Sequence, residues 1–167
     1  MEPFSTIVAA VDFSDTSCEV VQAALALAGD SHVCLMHAVP HVIQTPWVVD
    51  ASGLDIDDLQ RQWVIEAEAQ LADLVATMRL DPHRVTAEVV VGPAAFEIVR
   101  YASERAADVI VLGSHGRGVI RRFLLGSVAE RVLREAGCPV LIVPDRALRG
   151  AAAEVRALRV AGAGHAA

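Results

Sequence analysis

Five short apolar runs, each but the last followed by a longer stretch of helical periodicity, constrain this chain more than any other feature. They are residues 5–11, 32–39, 84–91, 108–113 and 139–143. Runs that are apolar at successive positions, such as Ile7-Val8-Ala9-Ala10-Val11, must be buried on both faces, and a sheet covered on both sides is a parallel one. Only the run at 84–91 alternates. Between the runs, apolar residues recur at three- and four-residue intervals. Val20, Ala24, Leu27 and Ala28 form one stripe, closed by Gly29; Leu59, Trp63, Ala67, Leu71, Leu74 and Met78 form a second, within a helix predicted over 55–79. Gly92-Pro93 opens a third helix with Phe96, Val99, Ala102 and Ala106 on its apolar face, and a fourth runs from Ser127 to about Ala136 before Gly137. The alternation predicts an α/β domain: one open, mostly parallel five-stranded sheet with helices on both faces.

Two punctuation points carry chemistry. After the strand at 108–113 the chain reads Gly113-Ser114-His115-Gly116, and nine residues later Gly126-Ser127 opens a helix. Glycines allow backbone N–H groups to approach an anion closely, and a helix N-terminus adds unpaired donors and partial positive charge. Together they suit phosphate without a lysine. Ser127 and Glu130 fit a capping box; the serine hydroxyl can serve the helix, a phosphate or both, and the amides of Gly126, Ser127, Val128 and Ala129 are candidate donors. Arg117, beside Gly116, is the best placed of the loop arginines (Arg121 and Arg122 are the others) to pair with phosphate oxygens or, equally, to face solvent or a second subunit. The other point is Asp12, in Asp12-Phe13-Ser14-Asp15, where Ser14 or Thr16 can cap the next helix. A carboxylate repels phosphate, so Asp12 suits hydrogen bonds from a ribose or base, a share in Mg2+, or the start of that helix.

The spacing G-x2-G-x9-G-S resembles the nucleotide signature of the universal stress protein family, in its ATP-binding subgroup. The resemblance extends over about residues 4–144, including Ile7–Ser14 and Cys138–Pro144. It implies a nucleotide-binding domain over 1–144, with 145–167 an Ala/Gly/Arg-rich tail. It also implies strand order 3-2-1-4-5, which sets strands 1 and 4 side by side where the winding reverses, so that Asp12 and Gly113 share one crevice. The ligand implied is ATP, with Mg2+ held mainly by its phosphates. Asp12 would contact the adenosine end, Ala10, Val11 and Ala38 would shape the base pocket, and Leu112 would lie beneath it. Ala129 stands where a hydroxyl residue can occur in the family. A homodimer through the last strand, Val140–Val143, is implied as well, with a further protein partner in stress physiology.

Composition narrows the alternatives. The 167 residues carry a net charge of −7, and all 14 basic residues are arginine, which argues against non-specific nucleic-acid binding. No apolar run reaches the length of a membrane span. An N-terminus bearing Glu2 and no basic region is not a signal peptide, and a cytoplasmic protein is expected. Cys18, Cys34 and Cys138 are unpaired in spacing and read as small buried apolar residues. Residues 40–54, with Trp47, read as a flap packed on the domain or as a lid or partner contact. There is no Walker lysine, G-x-S-x-G elbow or water-activating group. His115 reads as a loop residue. Binding is therefore better supported than turnover, with a nucleotide-free interaction module and a slow ATPase as the alternatives.

Overall fold

The computed structural model describes residues 4–42, 55–115 and 125–144. The chain runs β1 (Thr6–Ala10), α1 (Ser17–Ala28), β2 (His32–Val39), α2 (Ile56–Thr77), β3 (Val85–Val91), α3 (Ala94–Glu104), β4 (Val109–Gly113), α4 (Ser127–Glu135) and β5 (Val140–Val143). All four strand pairings are parallel and the sheet order is β3-β2-β1-β4-β5. The expected architecture and order are thus both present. Trp47, the flap segment 43–54, and the tail from 145 lie outside the described residues.

Alternation along each strand divides the core into two layers. Ile7, Ala9, Val33, Leu35, Val109 and Val111 meet Val20, Val21, Ala24 and Ala28 of α1 and Leu71 of α2. Val8, Cys34, Met36, Ile110 and Leu112 meet Ala95, Ile98, Tyr101 and Ala102 of α3 and Ala129 and Val132 of α4. The winding runs leftward through α1 and α2 and rightward through α3 and α4, so crossovers of one hand place the two pairs on opposite faces. Burial of these aliphatic side chains, about 1.5–3 kcal/mol each, is the main stabilising contribution.

Several side chains depart from expectation. Trp63, expected in the core, is 38% exposed, and only Ala67 and Leu71 of α2 are fully buried. The helix has 22 residues against seven for β3, so at about 1.5 Å per residue against about 3.3 Å it is some 10 Å longer than the strand it covers. Its turns before Ala67 carry no fully buried residue. The buried face of α3 is Ala95, Ile98, Tyr101 and Ala102; Phe96 points outward and Ala106 lies exposed beyond the helix at φ +48°. Two stripes one residue apart were open to this sequence, and Tyr101, 1% exposed, fills the sheet face with the larger side chain. Cys34 is buried as expected, but Cys18 is exposed and Cys138 half-buried.

Two local contacts fix strand ends. Gly92, at φ +154°, lies where a Cβ would come within 2.5 Å of Glu97 Oε1, a carboxylate that is buried and paired with Arg100. Asp108 Oδ2 accepts hydrogen bonds from the backbone N–H of Ser5 and Thr6 and from Ser5 Oγ, at 2.7–2.9 Å, tying the start of β1 to that of β4. These donors, the Thr6 amide foremost, hold the Asp108 carboxyl below its ordinary value of 3.8.

Two outcomes follow. Gly92→Ala should clearly lower the urea midpoint of unfolding, through strain of roughly 1–3 kcal/mol. A depressed folded-state pKa contributes stability that is present above the ordinary carboxylate value and lost as pH falls through the folded one. Asp108→Asn should therefore melt below wild type at neutral pH, with the two curves converging on acidification below about pH 4.

Candidate functional site

The site lies at the carboxyl ends of β1 and β4. Register sets Ala10 beside Leu112, and Val11 extends the ladder through its N–H to Met36 O at 2.9 Å. Beyond these residues the chain leaves β1 for α1 on one face and β4 for α4 on the other. The divergence opens a cavity of about 240 Å3. Ala10, Val11, Asp12, Ala38, Leu112, Gly113, Gly126, Ser127, Val128 and Ala129 all line it. Gly116 and Arg117, with Arg121 and Arg122, lie outside the described residues.

The cavity is divided chemically. Ala10, Met36, Ala38, Ile98 and Leu112 supply an apolar side; Asp12, Ser14, Thr16, Ser17, Ser114, His115 and Ser127 supply polar groups. Met36, Ile98, Ser14, Ser17 and Ser114 were not anticipated as lining residues. Ile98 is brought in by α3 from 60 residues further along than Ala38, with no local motif to announce it. Ser14 could have been found from its spacing to Asp12, which suits an Asx-type turn. His115, read from sequence as a loop residue, lines the same cavity, with Ser114 Oγ 3.0 Å from its Nδ1.

Asp12 Oδ1 accepts from Ser14 N–H at 3.1 Å and Ser14 Oγ at 2.6 Å, and lies 3.4 Å from Ser17 Oγ. The residue before α1 is Thr16, whose side chain makes no capping bond. Asp12 therefore organises the turn into α1 from four residues upstream while also lining the cavity.

The N-terminus of α4 corrects the capping-box reading. Gly126, not Ser127, is the N-cap, and among the described residues no side-chain cap hydrogen bond is made to the helix start. Glu130 instead pairs with Arg134 at 2.8 Å. The start is set one residue earlier because Gly126 N–H donates to Ser114 O at 2.8 Å while Gly126 O accepts from Glu130 N–H at 2.9 Å. This also removes the Gly126 amide from the set of candidate anion donors. Ser127, Val128 and Ala129 remain as the first three helical residues, whose N–H groups have no intrahelical acceptor, and all three border the cavity. Gly113 has no positive φ; a Cβ there would stand 3.4 Å from His115 O and 3.8 Å from Thr16 Cβ. Its smallness leaves space between β4 and α1, and conformational freedom is not what it supplies. The result is a carboxylate on one side of an apolar-floored hollow and a partial positive helix end on the other.

A family model describing the universal stress protein family matches residues 3–144. The chain belongs to the universal stress protein family. A universal stress protein of Methanocaldococcus jannaschii is 34% identical over 143 residues, 84% of this chain and 82% of the relative. Among solved structures, the universal stress protein from Archaeoglobus fulgidus in complex with dAMP is 28% identical, with a TM-score of 0.58, covering 84% of this chain and 98% of that one. A universal stress protein in complex with cAMP is 25% identical, with a TM-score of 0.54, over 86% and 98%. Among the described residues no helix is long and apolar enough to cross a membrane.

The double use of Asp12 in this universal stress protein gives a direct expectation. Asp12→Ala should destabilise the ligand-free protein by roughly 1–3 kcal/mol, since it deprives the Ser14 and Ser17 donors of a charged acceptor. Asp12→Asn, which keeps the accepting Oδ1, should lie much nearer wild type in the same urea titration.

Proposed function

We propose that this universal stress protein binds ATP in the crevice between β1 and β4 and acts as a nucleotide-dependent stress-response regulator through its dimer and a partner protein. The observation that carries the reading is one cavity lined together by Asp12, by apolar residues of the sheet and by the first residues of α4, whose N-cap Gly126 supplies no side-chain cap. Adenine suits the side lined by Ala10, Met36, Ala38 and Leu112. The ribose hydroxyls suit Asp12 as donors to a carboxylate, and the phosphates suit the amides of Ser127, Val128 and Ala129. The complexes of relatives with dAMP and cAMP support an adenine nucleotide as the ligand class. Asp12 is the one carboxylate among the described residues lining the cavity, and no cluster of three potential metal ligands occurs among them. Mg2+ would accordingly be held chiefly by the phosphates it accompanies.

Dimerisation through β5 is part of the same proposal. Among the described residues β5 pairs only with β4 and ends the sheet, and Leu141 on it is 38% exposed. An apolar edge strand of this kind favours pairing with a second copy.

Equilibrium binding of labelled ATP with Mg2+ tests the ligand. Wild type should bind saturably. Gly113→Val, whose side chain would enter the space between β4 and α1, should weaken binding at least tenfold, a difference of about 1.4 kcal/mol. Undiminished binding by this variant would remove the crevice from consideration. Sedimentation tests the assembly: wild type should be dimeric at micromolar concentration, and Leu141→Arg should shift it to monomer.

A further inference from the structure

His37 contacts both chain neighbours of Asp12, the carbonyl of Val11 and the ring of Phe13. It lies near the end of β2, on the same face as Val33 and Leu35, and lines the crevice. Its Nδ1 is 2.7 Å from Val11 O. A carbonyl oxygen only accepts, so Nδ1 carries the proton and donates. Its ring also rests against Phe13, with centroids 4.3 Å apart and planes tilted by 36°. Phe13 is held at φ +58°, a left-handed conformation unfavourable for a bulky residue. Asp12 sits between these two anchored neighbours.

We infer that His37 is a positioning residue for the nucleotide's sugar: through the Val11 carbonyl and the Phe13 ring it holds the strained turn that aims Asp12 at the ribose. The inference rests on the ATP reading above and adds a residue that acts through another. The serines organise Asp12 from downstream, through Ser14 and Ser17. His37 acts from the neighbouring strand β2, on the Val11 carbonyl that precedes Asp12 and on the ring of Phe13 that follows it. Without it, Phe13 loses its ring partner and the Val11 carbonyl its imidazole donor, so the left-handed conformation at Phe13 is no longer supported from that side. The carboxylate then samples orientations in which a ribose hydroxyl cannot reach it. A displacement of that size affects a directional hydrogen bond far more than it affects apolar contact with the base or amide contact with phosphate.

That difference supplies the test. Binding of ATP and of 2′,3′-dideoxy-ATP, which lacks both ribose hydroxyls, is measured on wild type, Asp12→Ala, His37→Ala, His37→Phe, His37→Asn and the double variant Asp12→Ala/His37→Ala. Wild type should prefer ATP, by about tenfold. His37→Ala and His37→Phe should bring that preference close to one while changing the affinity for the dideoxy compound little. His37→Asn, whose amide can donate from the place of Nδ1, should recover much of it. The double variant should bind ATP no more weakly than Asp12→Ala alone, because the two residues act in series. Equal weakening towards both nucleotides in the His37 variants would mean general damage and would overturn the inference. So would an undiminished preference in His37→Ala, or additive losses in the double variant. Wild type that binds ATP while His37→Ala keeps its preference refutes this inference alone; wild type that binds neither nucleotide refutes the ATP reading and this one with it.

Discussion

Everything at the candidate site depends on β1 and β4 lying side by side while their chains depart to opposite faces of the sheet. Parallel pairing sets Ala10 against Leu112, so both strands end at the same level. From there α1 covers the layer built on Ile7, Ala9 and Val111, and α4 covers the layer built on Val8, Ile110 and Leu112. No helix can cover the point of departure. The hollow is a consequence of reversing the winding at the middle of a sheet that must be buried on both faces. What distinguishes this hollow is its furniture: Asp12 on the β1 side and an N-terminal helix end without a side-chain cap on the β4 side.

The α4 terminus illustrates how a local hydrogen-bond account decides function. A serine or aspartate at the N-cap would give α4 about 1 kcal/mol and would occupy its first amides. Gly126 has no side chain to cap them, and its own N–H is satisfied by Ser114 O, which links the turn after β4 to the start of α4. The donors are therefore held in place by backbone contacts and not by a group that competes for them. On the other side, Ser14 and Ser17 hold Asp12 while α1 begins. Both halves are organised by the same residues that start the helices, so the site is ordered by folding itself.

The architecture was legible because apolar periodicity is a direct imprint of burial. Continuous runs such as Ile7–Val11 admit a strand covered twice, and Gly29 and Pro93 fall where helices end and begin. The glycine spacing located the β4–α4 turn, and its resemblance to the universal stress protein signature carried the strand order. Less legible were properties set by neighbours distant in sequence. Trp63 has core spacing yet is 38% exposed, because strand length relative to helix length is not written in periodicity. Phe96 and Ala95 both begin acceptable stripes, and the position of Tyr101 on the sheet decided between them. The S-x-x-E pattern at Ser127 satisfies a capping box, yet the helix starts at Gly126 because Ser114, thirteen positions before Ser127, takes the preceding amide.

The amino-acid sequence by itself determined the order and kind of the elements, the two-faced burial of the sheet and the turns at which chemistry is concentrated, since each follows from local periodicity, small residues and caps. Only the tertiary structure decided which groups meet there. Ile98 beside Ala38, His37 against Val11 and Phe13, and Asp12 facing α4 are pairings between segments far apart in the chain. They are set by strand register and by the direction of each crossover, quantities that exist only once the whole sheet has formed.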